Sequence, residues 1–187
     1  MGSLVKDDAA GRQARSREGR EDLPVPYLER TRSYYLALGY GNPYRWAEND
    51  DAPFTPLRRP LAATRLALVT TAAPVRPGIG DQGPGAPYNA AAKFYSVYSL
   101  PLDPTPDLRI SHLGYDRAHT TAEDPNTWLP LARLREAVAA RRVGELAPRL
   151  VGVPTNRSQA TTLDVDAPAA LAALREDGAE AALLVPT

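Results

Sequence analysis

Residues 65–73 read RLALVTTAA, an apolar run with two threonines at its centre and chain-breaking residues beyond both ends. Such a run is typical of a strand buried on both faces, as in a parallel sheet, because a strand with one wet face would alternate polar and apolar side chains. A second apolar run at 181–186 predicts another buried strand. Strands of this kind need a layer of helices on each side of the sheet.

Shorter strands and two amphipathic helices alternate between these runs. The patterns predict strands at 93–100, 107–113 and 150–153, and helices at 128–142 and 167–177. The alternation predicts an α/β fold, a mostly parallel sheet with helices on both faces (Rossmann-like). Because no helix follows the buried strand at 181–186 to cover it, the fold is expected to be truncated after that strand. In such sheets ligands bind beyond the carboxyl ends of the strands.

The helix at 167–177 carries signals at both of its ends. Asp164 or Asp166 is placed to act as its N-cap, because a carboxylate before the first turn accepts free backbone N–H groups. Gly178 is placed to end it.

Composition divides the chain and excludes several classes of protein. Residues 1–25 are poor in bulky apolar groups and are predicted to be a disordered leader, whereas 26–187 form an incomplete α/β domain that opens with a helix at 27–38. Twenty-two basic residues balance 22 acidic ones, which gives no general attraction to nucleic acid or to a membrane surface. No stretch is apolar enough to be a membrane span or a secretory signal, so a cytoplasmic location is expected.

The segment 111–126 contains both histidines of the chain, His112 and His119, with Asp116 between them. Imidazole and carboxylate together suit a zinc or iron site, although this spacing matches no strong metal motif. Alternatively, one histidine is a proton donor or acceptor that a neighbouring carboxylate orients. These alternatives stay open at this point.

A structural role is the third alternative for this segment. Asp124 and Asn126 lie just before the predicted helix at 128–142, where both residue types are favoured as caps. Capping is compatible with acid–base chemistry, since a capped loop is also a rigid one.

Several longer stretches, taken in order, resemble one family. They are RLALVTTAA, DLRISHLGYDRAHTTAEDPN, WLPLARLREAVAARRVGELAPR and LAALREDGAEAALLVPT, all within residues 60–187. Their combined pattern is His-x-x-x-Asp, Asp-x-Asn, Leu-x-x-Leu-Arg-Glu, Gly-x-x-Ala, Glu-Asp-Gly and a final apolar strand. The chain thereby resembles the selenoprotein B family, which includes the B subunits of glycine, sarcosine and betaine reductases and of D-proline reductase.

The resemblance implies an oxidoreductase subunit that cleaves a small amino-acid-like or amine substrate reductively. In the family, a selenocysteine or cysteine followed by Pro-x-Cys-His-Gln comes directly after the last apolar strand and is regenerated by a dithiol or thioredoxin-like donor. A pyruvoyl group on a partner reductase subunit holds the amine in some members. This chain has no cysteine and stops at Thr187. The expectation is therefore truncation at a selenocysteine codon, with no catalytic residue, metal or cofactor in the chain and no activity of the chain alone.

The resemblance also implies which residues line the substrate pocket. They are His112, Asp116, Asp124 and Asn126, with Pro186 and Thr187 as the approach to the pocket. His119, the other histidine of the segment 111–126, is added to the predicted pocket without a counterpart in the family pattern. The loop at 74–87 departs from the family pattern and leaves the substrate open. Two other functions stay as alternatives: a non-catalytic ligand-binding or scaffold subunit, and a metal-dependent hydrolase that uses His112, Asp116 and His119.

Overall fold

A computed structural model describes residues 26–41, 47–51, 53–80, 83, 85–112, 115, 122–155 and 158–187. The chain divides into two compact units, Met1–Glu48 and Asn49–Thr187. In the first unit the predicted helix forms as α1, Tyr27–Ala37, and none of its residues is buried. The predicted leader, residues 1–25, lies outside the described residues. No helix in the described ranges is both long and apolar enough to cross a membrane.

The second unit has mixed α/β content. Its strands are β1 (Arg65–Thr70), β2 (Ala73–Pro74), β3 (Tyr98–Pro101), β4 (Leu108–Arg109), β5 (Glu145–Leu146), β6 (Arg149–Gly152) and β7 (Ala181–Val185). Its helices are α2 (Leu131–Ala139), α3 (Gln159–Thr161) and α4 (Ala167–Glu176), with a π-helical turn at Thr162–Asp166 and 3₁₀ turns at Leu61–Ala63 and Pro125–Thr127.

The main sheet is built around β1 and is mostly parallel, as predicted. β5 and β6 pair in succession with the first and second halves of β1, and both pairings are parallel. β7 pairs in parallel with β1, from Leu66 opposite Ala181 to Thr70 opposite Val185. β3 joins the outer side of β6 in the antiparallel direction. Every residue of β1 from Leu66 to Thr70 is buried, which confirms the prediction of a strand covered on both faces.

Alternate residues of the sheet pack against different helices. Leu68 and Leu150 belong to a core cluster with Leu131 of α2. Their sequence neighbours Val69 and Val151 form a second cluster with Ala170 of α4. Because successive side chains of a strand point to opposite faces, α2 and α4 cover opposite faces of the sheet.

The prediction that the last strand is buried is wrong. β7 forms where the sequence indicates, but its three central residues are exposed, and Leu184 retains 68% of its accessible surface. Among the described strands β7 pairs only with β1, so it is an edge strand. An edge strand has one neighbour in its sheet and is shielded less than a central strand such as β1.

The predicted strand at 107–113 is also largely wrong. Among the described residues of that range, 107–112, β4 is the only strand, and it pairs antiparallel with β2 in a separate two-stranded sheet. The reason is Arg109, whose side chain is fully buried and donates to the Gly83 carbonyl at 2.6 Å and to the Asp107 carboxylate. A buried guanidinium needs several acceptors around it, which the apolar interior of the main sheet lacks.

The predicted helix at 167–177 begins earlier than expected. Helical structure starts at Gln159, where the Ser158 hydroxyl caps the first turn by accepting the backbone N–H of Thr161 at 3.1 Å. Asp166 is therefore inside the helical segment and is not its N-cap, which corrects the sequence prediction. The C-terminal signal holds: Gly178 follows the helix with a φ of 66°, a conformation that glycine adopts without strain.

Candidate functional site at the carboxyl edge of the sheet

The carboxyl ends of β1, β6 and β7 meet at one edge of the sheet because the three strands are parallel. We call this the carboxyl edge and define it by Thr71, Val153 and Thr187, which lie just beyond the three strands. The Thr187 backbone N–H donates to Thr71 Oγ1 at 2.8 Å, and the two hydroxyl oxygens are 3.0 Å apart. These bonds hold the last residues of the β7 segment against the end of β1.

Tyr98 of β3 also holds the backbone at the carboxyl end of β1. Its hydroxyl donates to the Ala72 carbonyl at 2.6 Å. Burial raises the pKa of this phenol, so it stays neutral and acts as a donor at any physiological pH. The backbone just after β1 is therefore held by hydrogen bonds from two different parts of the chain.

The segment 111–126 starts and ends in the core beside this edge. Ile110 just before it and Trp128 just after it are buried in one cluster, which also contains Ala72 and contacts Val185. Ser111 is buried, and His112 presents an exposed side chain directly after it. Two of the predicted site residues, Asp116 and His119, lie outside the described residues. The structure thus brings the start and the end of this segment close to the carboxyl ends of β1 and β7.

Asp124 is a cap, but of the 3₁₀ turn Pro125–Thr127 and not of the predicted helix at 128–142, which begins at Leu131 without a side-chain cap. Its Oδ1 accepts the backbone N–H of Asn126 at 2.9 Å and the side-chain Nδ2 of Asn126 at 2.8 Å. The backbone bond, followed by the side-chain bond, holds the pKa of this carboxyl below its usual value, so Asp124 is a carboxylate at neutral pH. The turn that it caps, Pro125–Thr127, leads into α2.

Asn126 is oriented by this cap. Since Nδ2 faces Asp124, Oδ1 points the other way, where it is buried and has no hydrogen-bond partner within the described ranges. A buried acceptor without a donor is uncommon and requires an explanation. Asn126 therefore offers a hydrogen-bond acceptor, besides being part of the capped turn.

Two further residues, Tyr115 and Asp166, have features of a site that the sequence does not indicate. The hydroxyl of Tyr115 is buried against the core and has no partner among the residues that the structure describes. The same holds for Oδ2 of Asp166, a residue that is 2% exposed. A tyrosine in a polar segment and an aspartate just before a helical pattern give no signal of this kind in a sequence.

The metal alternative gains no support from the part of the chain that is described, where no three histidine, cysteine, aspartate or glutamate side chains form a group that could hold a metal ion. The cluster His112, Asp116 and His119 lies partly outside that range, so it stays a hypothesis.

Comparison of the chain with models of protein families, with curated proteins and with solved structures finds no match.

Proposed function

We propose that this chain is part of a selenoprotein B-like reductase subunit with a Rossmann-like sheet, and that the carboxyl edge is its substrate site. The proposal rests on the sequence resemblance. The observation that carries it is the position of Pro186 and Thr187: hydrogen bonds to Thr71 fix Thr187 at the carboxyl edge. A selenocysteine or cysteine in the next position would be delivered to that edge.

The surroundings suit a nucleophile of this kind. The Thr71 and Thr187 hydroxyls share one hydrogen bond, which uses one of their two protons, so the other hydroxyl can donate to an anion beside it. In reductive cleavage the C–N bond breaks, the amine leaves with a proton, and the carbon gains a hydrogen in its place. A dithiol supplies the two electrons and two protons as it becomes a disulfide. His112 has an exposed imidazole at the start of the segment 111–126, and it is the candidate donor of the proton that leaves with the amine.

The decisive experiment uses the product of the gene read through the codon after Thr187. The resemblance expects UGA there, followed in frame by Pro-x-Cys-His-Gln. The longer protein, with cysteine at the UGA position, should release amine from glycine, sarcosine or betaine, or open the ring of D-proline, while it oxidises a dithiol. A different codon without that continuation, or no turnover of any of the four in the presence of the partner reductase subunit, would refute the proposal.

His112→Ala tests the proton donor in that longer protein. General acid–base groups contribute about 100-fold or more to rate, so turnover should fall by about that factor. The melting temperature should change little because the side chain is exposed. Glu123→Gln, an exposed change in the same segment, is the control and should leave turnover unchanged. Equal activity of His112→Ala and the control would remove His112 from the mechanism.

A further inference from the structure

Asp166 is a buried aspartate, and the hydrogen bonds among the described residues do not explain why it is buried. The residue is 2% exposed, and its Oδ2 accepts no hydrogen bond from any described residue. It closes the π-helical turn Thr162–Asp166, a rare geometry that is often found at functional sites. An aspartate is almost never fully buried without a partner, because the charged form loses its hydration.

The helix places Asp166 at the carboxyl edge. Ala170, one turn later, contacts the sheet in a buried cluster with Val151 of β6 and Val69 of β1, two residues that are paired in register. Because this helical segment connects the parallel strands β6 and β7, it runs opposite to β1. Asp166 therefore lies about 6 Å beyond that contact in the direction of the carboxyl edge, at 1.5 Å per residue.

Thr71 lies at a similar level on the strand. It is two residues after Val69, which is about 7 Å further along the same direction. Its N–H continues the ladder by donating to the Val185 carbonyl, so strand alternation puts its side chain on the face that α4 covers. The Thr71 and Thr187 hydroxyls are thus polar groups near the level of Asp166 along the strand direction.

We propose that Asp166 is the anionic anchor of a binding site for a small primary or secondary ammonium group. A carboxylate supplies the opposite charge, and the threonine hydroxyls supply further acceptors for the N–H groups. Since only 2% of the residue is exposed, the cationic group has to be small. The inference deepens the proposed function, on which it rests, because it names the amine of the substrate as the group that is recognised.

The test measures binding without turnover. The probe is methylammonium chloride, titrated into the chain at constant ionic strength and followed by calorimetry and by the melting temperature. Sodium, potassium and magnesium chloride are the ionic controls, and tetramethylammonium chloride is a cation without N–H donors. Only methylammonium should bind and raise the melting temperature.

Two variants locate the binding. Asp166→Asn should weaken methylammonium binding by about tenfold or more, as expected for a charge-assisted contact. Asp164→Asn removes the same charge from an exposed position two residues earlier and should bind as the unsubstituted chain does. If Asp166→Asn fails to fold, Asp166→Glu with its longer carboxylate replaces it and should also weaken binding.

Each outcome decides the inference. Equal affinity of Asp166→Asn and Asp164→Asn, or equal responses of the unsubstituted chain to methylammonium and to the control cations, would overturn it. Methylammonium binding that depends on Asp166, in a longer protein that turns over none of the four substrates, would support this site and count against the reductase assignment alone.

Discussion

Gly152→Ala should be among the most damaging single-methyl additions in this chain. Gly152 of β6 lies directly opposite Tyr98 of β3, and the tyrosine ring covers the glycine. A Cβ at this position would overlap the ring edge, well inside van der Waals contact. Neither strand can yield easily, because the Tyr98 hydroxyl is bonded to the Ala72 carbonyl and its ring packs edge-on against Phe94 at 5.1 Å.

The expected magnitude follows from what the ring loses when it moves. Overpacking a well-packed site costs about 1–3 kcal/mol. The hydrogen bond to Ala72 contributes about 1 kcal/mol and the aromatic pair with Phe94 about 1 kcal/mol. The lower entropy of alanine in the unfolded chain returns roughly 0.5–1 kcal/mol. The net loss is about 3 kcal/mol, which for a chain of this size lowers the melting temperature by about 6–12 °C.

Urea unfolding of four proteins measures this effect: the unsubstituted chain, Gly152→Ala, Tyr98→Ala and the double variant. In the Tyr98→Ala background the added methyl meets no ring, so the coupling energy should reach about 2 kcal/mol. Gly41→Ala is the matched control, because a Cβ there meets nothing within 4 Å. Additive effects in the cycle, or a loss no larger than in the control, would show that the ring does not depend on the glycine.

Two further predictions concern carboxylates. The guanidinium of Arg109 holds the pKa of Asp107 below its usual value. This pair therefore contributes stability above about pH 4, the ordinary carboxyl value. That contribution is lost as the pH falls through the lower pKa of the folded state. Asp107→Asn should therefore destabilise the chain at pH 7 and flatten the loss of stability below pH 4 in acid titrations; an unchanged acid limb would contradict this. The carboxylate of Asp177 is nearly buried and accepts hydrogen bonds from Arg149 Nε at 2.9 and 3.1 Å and from Nη2 at 2.7 Å. Asp177→Asn should therefore lower the melting temperature clearly more than the exposed Glu136→Gln does. Equal melting temperatures of those two variants would show that the Arg149 pair adds no stability.

The sequence predicts the central strand well because one continuous run of apolar residues indicates burial on both faces of the sheet. Residues 66–70 have no polar side chain other than a threonine, and a strand of that composition has to be central. The same logic failed for β7, whose composition is equally apolar. Periodicity reports which residues can be buried, but the number of neighbouring strands is a property of topology, which short-range patterns do not contain.

The candidate site was predictable only in part, and for a similar reason. Asp124 as a cap follows from local chemistry, since the residue that accepts the N–H is two positions from the residue that donates it. The contact between Thr71 and Thr187 spans 116 residues and appears only when β1 and β7 are paired in register. No local signal distinguishes either threonine from the many others in the chain.

The capping rule gave a wrong role for Asp166, and the burial of its side chain is evident only in the structure. Helix-capping preferences favour an aspartate just before the apolar pattern at 167–177, and a cap would be exposed and satisfied. The cap is instead Ser158, eight residues earlier. Asp166 therefore lies within the helical segment, and its side chain is buried on the inner face of the helix. An apolar side chain of similar volume would avoid the loss of hydration there, and burial of an unpartnered carboxylate works against folding. The fold alone therefore gives no reason for a carboxylate at this position, whereas recognition of a cation at the carboxyl edge does.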